Sequence, residues 1–384
     1  MRMSHYKRNF ENVLKERLRE KPHFIQVIQG PRQVGKTSGT QNVLQTLFSK
    51  KQYNFFSCEE GIHNHDWFLQ QVQKTQNEKK KIIVFDEIQK IDRWSDLVKL
   101  AWDKQKREGA LMHWILLGSS SLQLSIGLGD SLAGRFETIP VHHWNYNESK
   151  TAFGLTLDEY ILFGGYPASY LLKDNPERFK NYIFNSIFET VISRDILRYV
   201  TVKKPALFRQ TFINVCQFPA QELSYNKLLG QLQEAGNVDQ IKHYLDLFYQ
   251  AFLLRLIFKF SKTKLSRSSS PKLLPAAPTF THLFLQRNLS PEEKGRVFEC
   301  IVGNRLCENF DAVYYWRDGM REIDFVVDTG KNLIGIEVKS KQKKIAGAQI
   351  FRSKFKNGKI CFVNFENYLE FEANPRNFLE KYAT

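Results

Sequence analysis

Short apolar runs alternate with helix-like segments through the first 145 residues of the chain. Runs of about four to eight almost wholly apolar residues are typical of parallel strands that are buried on both faces. The pattern therefore predicts an α/β domain built around a parallel sheet, preceded by a charged helix over residues 1–22. The apolar runs are FIQVIQ (24–29), YNFF (53–56), KIIVFD (81–86) and HWILLG (113–118).

The apolar spacing becomes helical between about residues 150 and 255. Within this region, residues 211–262 predict three helices followed by the apolar run LLRLIFKF. The stretch KFSKTKLSRSSSPK (259–272) is basic and rich in serine, which indicates an exposed hairpin or a linker. The last hundred residues return to α and β alternation, with a helix at about 293–309. Strands are expected near 312–316, 322–327, 333–339 and 359–364. We therefore predict three domains, over residues 1–148, 149–272 and 273–384.

Composition and charge narrow the possible partners. The chain of 384 residues is 42% hydrophobic, enough for packed cores, and carries a formal net charge of +16. This charge favours a polyanion, with nucleic acid expected before a membrane surface, although a solvated basic surface is an alternative. No apolar run approaches the roughly 18 residues of a membrane span, and the five scattered cysteines fit a reduced, cytoplasmic protein.

The strongest motif follows the first predicted strand directly and precedes a helix. Residues 30–38 contain the pattern G-x4-G-K-T, in which glycines let backbone N–H groups point at phosphate oxygens. Lys36 is expected to reach the β- and γ-phosphates, and the Thr37 hydroxyl to ligate Mg²⁺. The predicted ATP-binding residues are Gly30, Pro31, Arg32, Gln33, Val34, Gly35, Lys36, Thr37 and Ser38.

Two adjacent carboxylates, Asp86 and Glu87, stand at the end of the third apolar run. They support a nucleotide-binding role for the glycine-rich motif. Carboxylates on a buried strand are costly unless they have partners. Asp86 is expected to hold Mg²⁺, and Glu87 to orient or deprotonate the attacking water. Asp86 alone would indicate nucleotide binding, whereas the added Glu87 favours hydrolysis. The sequence therefore predicts a P-loop ATPase.

Two further residues are candidates for the same site. Ser119 ends the fourth apolar run beside the expected γ-phosphate, where its hydroxyl could position water, although a helix-capping role is the alternative. Arg135, in LAGRFE, is either an arginine finger that acts on its own or a neighbouring subunit, or one half of a structural ion pair.

A second group of charged residues lies on the predicted C-terminal strands. Asp324 in EIDFVV and Glu337 in IGIEVK would face each other across a hairpin, and Lys339 would share the face of Glu337. Two carboxylates in this arrangement can hold Mg²⁺ or Mn²⁺ against a scissile phosphate, while the lysine stabilises the developing charge. Glu299 would complete the metal ligands, and Gln349 would contact substrate or the lysine. The alternative is an edge strand with solvated charges.

Motifs along almost the whole length resemble one prokaryotic family of predicted AAA-type ATPases. They are GPRQVGKTS, IIVFDEIQK, LLGSSS, LAGRFE, FGGYP, the Arg194–Asp195 pair, SSSPKLL, REIDFVV and IGIEVKS. The resemblance implies an ATPase domain, a helical and winged-helix middle region, and a C-terminal domain similar to PD-(D/E)XK nucleases. Ile323 stands where that nuclease motif has proline.

The middle region also contains basic residues that are expected to contact DNA. Ile241, Tyr244, Leu245, Leu247, Phe248 and Ala251 recur at helical spacing, which indicates core. Lys242 and His243 point outward and could meet phosphates, whereas a structural or protein-docking helix is the alternative. The histidines of H-x-H-D (63–66) and His142-His143 lack further ligands for zinc.

Two hypotheses for the whole chain remain open. The first is an ATP-regulated, metal-dependent DNA nuclease of genome maintenance or defence. Homo-oligomers of the chain are compatible with this hypothesis. The second is a nucleotide-gated switch whose nuclease-like domain binds DNA or protein without cutting. The presence of Asp324, Glu337 and Lys339 favours the first hypothesis.

Overall fold

A computed structural model describes most of the chain as two compact units. The described residues are 6–59, 64–119, 129, 131–231, 236–261, 270–285, 288–339 and 346–383. The first unit comprises Met1–His143 together with Ser193–Tyr199, and the second comprises Trp144–Ile192 and Val200–Thr384.

The first unit contains a five-stranded sheet in which all paired strands are parallel, as the apolar runs predict. Its spatial order is β2-β3-β4-β1-β5. The strands are β1 (Ile25–Gln29), β2 (Tyr53–Ser57), β3 (Ile82–Asp86), β4 (His113–Gly118) and β5 (Phe136–Pro140). The helices are Asn9–Arg17, Lys36–Leu47, His65–Asn77 and Trp94–Arg107, with short 3₁₀ turns at Lys50–Gln52 and Ile88–Lys90.

The core of this unit explains why the runs are almost wholly apolar. Every residue of β3 is buried, and the Phe85 ring stacks on Phe68 with centroids 4.7 Å apart. Trp114 of β4 lies 6.0 Å from the Phe85 ring and is fully buried. Strand β5 is not among the predicted runs, because Glu137, Thr138 and Pro140 interrupt its apolar residues.

The second unit contains a seven-stranded mixed sheet in the order β12-β11-β10-β9-β7-β8-β6. The strands are β6 (Gln221–Glu222), β7 (Leu254–Lys259), β8 (Lys272–Pro275), β9 (Val313–Asp318), β10 (Arg321–Asp328), β11 (Leu333–Val338) and β12 (Gly358–Val363). The helices before β7 are Tyr146–Phe153, Leu157–Phe163, Pro176–Asn181, Pro205–Gln217, Tyr225–Gly230 and Val238–Gln250, with a 3₁₀ segment at Pro167–Leu172 and π-helical segments at Tyr182–Phe188 and Val191–Ile196. The later helices are Pro278–Leu285, Pro291–Asn309, Ala346–Lys354, Tyr368–Ala373 and Pro375–Tyr382.

One sheet joins the middle region to the C-terminal region. The run LLRLIFKF forms β7, which pairs antiparallel with β8 and parallel with β9. The expectation of an exposed hairpin or linker over residues 259–272 is wrong at its ends, because Lys259 belongs to β7 and Lys272 begins β8 as a buried residue. Residues 262–269 of that stretch lie outside the described residues. The three-domain division at 148/149 and 272/273 stays a prediction. Among the described residues, no helix is both long enough and apolar enough to cross a membrane.

Candidate functional site

The loop of residues 30–35 joins β1 to helix Lys36–Leu47 in the first unit. Gly35 has a φ of 94°, in the left-handed region that favours glycine. Gly30 has no room for a side chain, because a Cβ there would lie 2.1 Å from the carbonyl oxygen of Val141. The two glycines of the motif are thus required by the backbone path.

The Lys36 side chain is buried inside this loop. Its Nζ donates to the carbonyl oxygens of Gly30 at 2.9 Å and of Pro31 at 2.5 Å. Burial lowers the pKa of Lys36 to about 8, and the carboxylates of Glu87 and Asp86 oppose that shift. Phosphate oxygens would be stronger partners for this ammonium than the two neutral carbonyls.

Thr37 and Asp86 meet at the end of the sheet. The Thr37 hydroxyl donates to Asp86 Oδ2 at 2.7 Å. Burial raises the pKa of Asp86, although this hydrogen bond opposes the shift. A hydroxyl and a carboxylate are oxygen ligands of the kind that Mg²⁺ takes, so these two residues fit the ion that the sequence predicts.

Glu87 lies beside this pair with its carboxylate held by two donors. Ser119 Oγ donates to Glu87 Oε2 at 2.9 Å, and Gln89 Nε2 donates to the same oxygen at 2.5 Å. The structure therefore places Ser119 against the predicted catalytic carboxylate. Sequence reasoning missed Gln89, although it stands in the same IIVFDEIQ run.

Two arginines support the phosphate loop from outside, and sequence reasoning missed both roles. Arg8 is buried and donates to the carbonyl oxygens of Val34 at 2.6 Å and of His142 at 3.0 Å. Arg32 forms a two-pronged ion pair with Asp195, with Nε–Oδ2 and Nη2–Oδ1 distances of 2.6 Å each. The Arg194–Asp195 pair was visible in the sequence, but nothing nearby indicated its partner.

Arg135 forms a two-pronged ion pair with Asp103. Its Nε lies 2.8 Å from Asp103 Oδ1 and its Nη2 lies 3.0 Å from Oδ2. This contact gives the structural alternative for Arg135 an observed basis, and the arginine-finger role stays a prediction. Residues 120 and 121 of the serine cluster lie outside the described residues.

In the second unit, the hairpin of β10 and β11 brings Asp324 beside Glu337. Phe325 pairs with Ile336 in the antiparallel register, and Asp324 Oδ2 accepts a hydrogen bond from the Val338 N–H at 2.8 Å. Burial, reinforced by the negative charge of Asp324, raises the pKa of Glu337 to about 8. Lys339 Nζ lies 3.3 Å from Glu337 Oε2, so the three residues stand together as the hairpin argument expects.

Glu299 has a different partner from the one that the sequence predicts. The Nζ of Lys272, on β8, lies 2.7 Å from Glu299 Oε1 and 2.8 Å from Glu322 Oε1. The same Nζ lies 3.8 Å from Asp324 Oδ1. We call the four carboxylates with this lysine the Lys272 cluster: Lys272, Glu299, Glu322, Asp324 and Glu337.

The predicted metal ligands Glu299, Asp324 and Glu337 do not assemble into a three-ligand site. Within the described part of the chain, no three His, Cys, Asp or Glu side chains are arranged to hold a metal ion. The physical reason is the Lys272 ammonium, which already binds Glu299. The other candidate, Gln349, is exposed on helix Ala346–Lys354.

Comparison with known protein families divides the chain into three matched segments. A family model described as an AAA domain matches residues 22–150, which contain the whole phosphate loop and Asp86–Glu87. Residues 22–150 are therefore similar to AAA domains, and we call this segment the AAA domain. Downstream of the AAA domain, residues 154–278 match a domain of unknown function (DUF8612), and residues 294–373 match another (DUF4143).

Among curated proteins, the chain is similar to an uncharacterized protein, MJ1544, of Methanocaldococcus jannaschii. The two are 26% identical over 404 residues, which cover 93% of this chain and 86% of the relative. Solved structures of RuvB from Thermotoga maritima and AMPPCP-bound DnaA from Aquifex aeolicus are also similar, at 14% and 16% identity and TM-scores of 0.35 and 0.32. The RuvB match covers 74% of this chain and 97% of that one, and the DnaA match 62% and 86%. TM-scores of this size do not establish a shared fold.

Proposed function

We propose that the AAA domain binds and hydrolyses ATP with Mg²⁺. Lys36 would bind the phosphates in place of the Gly30 and Pro31 carbonyls. Thr37 and Asp86 would hold Mg²⁺, which neutralises phosphate charge when bound. Glu87, oriented by Ser119 and Gln89, would position the attacking water and take its proton. The observation that carries this proposal is the placement of the Thr37–Asp86 hydrogen bond next to a separately anchored Glu87.

ATP binding and turnover by Lys36→Ala test this proposal. Charge-assisted hydrogen bonds contribute about 1.5–3 kcal/mol each. The variant should therefore bind ATP at least about tenfold more weakly and turn over little of it. Lys50→Ala, at an exposed lysine in the same unit, is the matched control and should behave as wild type. Normal hydrolysis by Lys36→Ala would remove the phosphate role from this loop.

We further propose that the second unit acts on DNA under the control of the AAA domain. The net charge of +16 supports a polyanionic partner. Lys242 and His243 lie on the outward side of helix Val238–Gln250, whereas Ile241, Tyr244, Leu245, Leu247 and Phe248 are buried as their spacing predicts. Ala251, expected in the same core, is only half-buried.

Of the two hypotheses for this unit, the geometry favours DNA binding without cleavage. Metal-dependent cutting would require Glu299, Asp324 and Glu337 to share divalent cations. The Lys272 ammonium already neutralises part of this set, at 2.7 Å from Glu299. The nuclease-like and winged-helix assignments of this unit rest on sequence resemblance.

A DNA-cleavage assay separates the two hypotheses. Wild type and Asp324→Ala would be incubated with linear, circular and single-stranded DNA, with Mg²⁺ or Mn²⁺, in the presence and absence of ATP. We expect DNA to be bound and left intact by both proteins. Cleavage by wild type that disappears in Asp324→Ala would instead establish the nuclease.

The five cysteines are free, which supports a reducing compartment such as the cytoplasm. Assembly into a homo-oligomer is a further proposal, which would let an arginine of one subunit reach the nucleotide of the next.

A further inference from the structure

Lys272 is a fully buried cation on β8, with a side chain that is only 1% exposed. A buried ammonium loses its hydration and needs negative partners close by. It has them from two directions, because Glu299 lies on helix Pro291–Asn309 and Glu322 on β10. Burial opposes its charge, yet the carboxylates of Glu299, Asp324 and Glu322 together raise the pKa of Lys272. The ammonium is therefore held between carboxylates on two different elements of the second unit.

A divalent cation fits this cluster poorly. Glu299 Oε1 and Glu322 Oε1 both contact the ammonium, at 2.7 and 2.8 Å. Asp324 and Glu337 also have partners for one oxygen each. Asp324 Oδ2 accepts a hydrogen bond from the Val338 N–H, and Glu337 Oε2 forms an ion pair with Lys339. A metal ion at Asp324 would also be repelled by Lys272.

One atom would suit a cation. Glu337 Oε1 is buried and has no hydrogen-bond partner among the described residues. Glu337 is only 2% exposed, and a single free oxygen is fewer than the several oxygen ligands that Mg²⁺ requires. Removal of Lys272 would free the oxygens of Glu299, Glu322 and Asp324 to join it.

We propose that the ammonium of Lys272 is a built-in counter-ion that takes the place of a divalent metal in this carboxylate cluster. The cation is covalently attached to β8 and cannot be exchanged or chelated. The second unit consequently folds without metal and lacks a metal with which to cut a phosphodiester. This inference concerns the cation of the cluster and holds whether or not the AAA domain hydrolyses ATP.

The test compares Mn²⁺ binding by full-length wild type and Lys272→Met, measured without nucleotide by electron paramagnetic resonance. Methionine keeps the length of the side chain and removes its charge. We expect Lys272→Met to bind one Mn²⁺ more than wild type, which should bind no Mn²⁺ at the cluster. Adding Asp324→Asn to Lys272→Met should abolish that extra ion, while any Mn²⁺ at Thr37 and Asp86 is common to all the proteins.

Thermal unfolding gives a second readout. Lys272→Met leaves buried carboxylates without a counter-ion, so its Tm should fall by about 10 °C. Mn²⁺ should raise the Tm of Lys272→Met by more than it raises the Tm of wild type, because only the variant has a free carboxylate cluster. Lys294→Met is the matched control, because Lys294 pairs with Asp158 on the surface of the same unit, and it should behave as wild type in both measurements.

Two results would overturn the proposal: Mn²⁺ bound at the cluster of wild type and lost in Asp324→Asn, or a folded Lys272→Met that gains no ion. Should Lys272→Met fail to fold, Glu299→Gln and Glu322→Gln are added to it to remove the excess negative charge. This triple variant should regain the fold without metal. If the triple variant is as unstable as Lys272→Met, the lysine does not act as a counter-ion.

Discussion

The position of the Glu87 carboxylate is fixed by the backbone conformation of the residue as well as by the hydrogen bonds from Ser119 and Gln89. Its φ of 53° lies in the left-handed region, which costs a non-glycine residue on the order of 1–2 kcal/mol. Ser119, directly after β4, fixes the far end of the side chain. The strain and the hydrogen bonds together aim one carboxylate at a fixed point beside Thr37 and Asp86.

Replacement of Glu87 by glutamine separates ATP binding from ATP hydrolysis. Glutamine keeps the size of the side chain and removes its ability to take a proton. We therefore expect ATP affinity to stay within a few-fold of wild type while turnover falls by about 100-fold or more. Equilibrium binding of ATP and steady-state phosphate release measure the two quantities. Glu16→Gln, at an exposed glutamate of the same unit, is the control, and unchanged turnover in Glu87→Gln would assign the proton acceptor elsewhere.

For single residues, the sequence predicts the roles of side chains within a short motif, but it does not predict hydrogen-bond partners that are far apart along the chain. The roles proposed for Lys36 and Asp86 follow from residue types within one short motif each. Arg8 reaches a loop residue 26 positions away, and Arg32 reaches Asp195 across 163 positions. A single sequence carries no signal for such pairs, because the distance between them is set by the fold.

Segment Ser193–Tyr199 is an element of the first unit by its contacts, although the chain on both sides of it belongs to the second. Asp195 ties this segment to the phosphate loop through Arg32, and both side chains are largely buried. The ion pair thus holds a distant segment of the chain against the loop of residues 30–35 within the first unit.

Loss of the Asp195 carboxylate should destabilise the first unit. Asp195→Ala leaves a largely buried guanidinium without its partner, which costs about 3 kcal/mol. We expect a lower unfolding temperature for this unit by calorimetry. Asp96→Ala removes a carboxylate from the exposed ion pair with Arg93 and should leave that temperature nearly unchanged. Equal behaviour of the two variants would show that the Arg32–Asp195 pair does not hold the unit together.

Three helices of the second unit meet at the buried carboxyl of Glu372. Its Oε2 accepts from the Tyr368 hydroxyl at 2.8 Å and lies 3.3 Å from Arg305 Nε, and its Oε1 accepts from the Asn147 N–H at 3.4 Å. Burial raises the pKa of Glu372 to about 7, and Arg305 opposes the shift. The group is therefore poised to change its charge near neutral pH.

This pKa predicts a pH dependence of stability with a definite sign. The folded protein holds the Glu372 proton more tightly than the unfolded chain, whose ordinary value is 4.5. The free energy of unfolding should therefore fall by on the order of 1–3 kcal/mol as pH rises from about 4.5 to about 7. Urea midpoints of wild type and Glu372→Gln between pH 5 and pH 8 isolate this contribution by difference. Parallel curves for the two proteins would exclude it.

At the level of elements, the sequence predicted the strands better than their association. The four apolar runs of the first 145 residues correspond to β1–β4, and the four strands expected in the last hundred residues correspond to β9–β12, all close to their observed bounds. Strand β5 was missed because the polar residues Glu137 and Thr138 leave no continuous apolar run in its sequence. LLRLIFKF was expected to follow a separate helical module, but its strand β7 enters the same sheet as β9, a pairing between segments more than fifty residues apart.

For the whole molecule, 56 Lys and Arg against 40 Asp and Glu predict strongly salt-dependent binding to DNA. If six or more phosphates are contacted, affinity should fall by about 10³-fold between 50 and 200 mM salt. Fluorescence anisotropy with a labelled duplex measures this slope. Competition by poly-glutamate at equal charge controls for attraction to any polyanion. A flat salt dependence would instead indicate a protein partner.

The return of the chain to the first unit at Ser193–Tyr199 also sets an order of events during synthesis. Residues 1–143 leave the ribosome first, but the carboxylate that pairs with Arg32 follows only with residue 195. Residues 144–192, which belong to the second unit, emerge in between. The ion pair between Arg32 and Asp195 therefore forms late in a nascent chain, and a fragment cut at residue 148 would carry Arg32 without its partner.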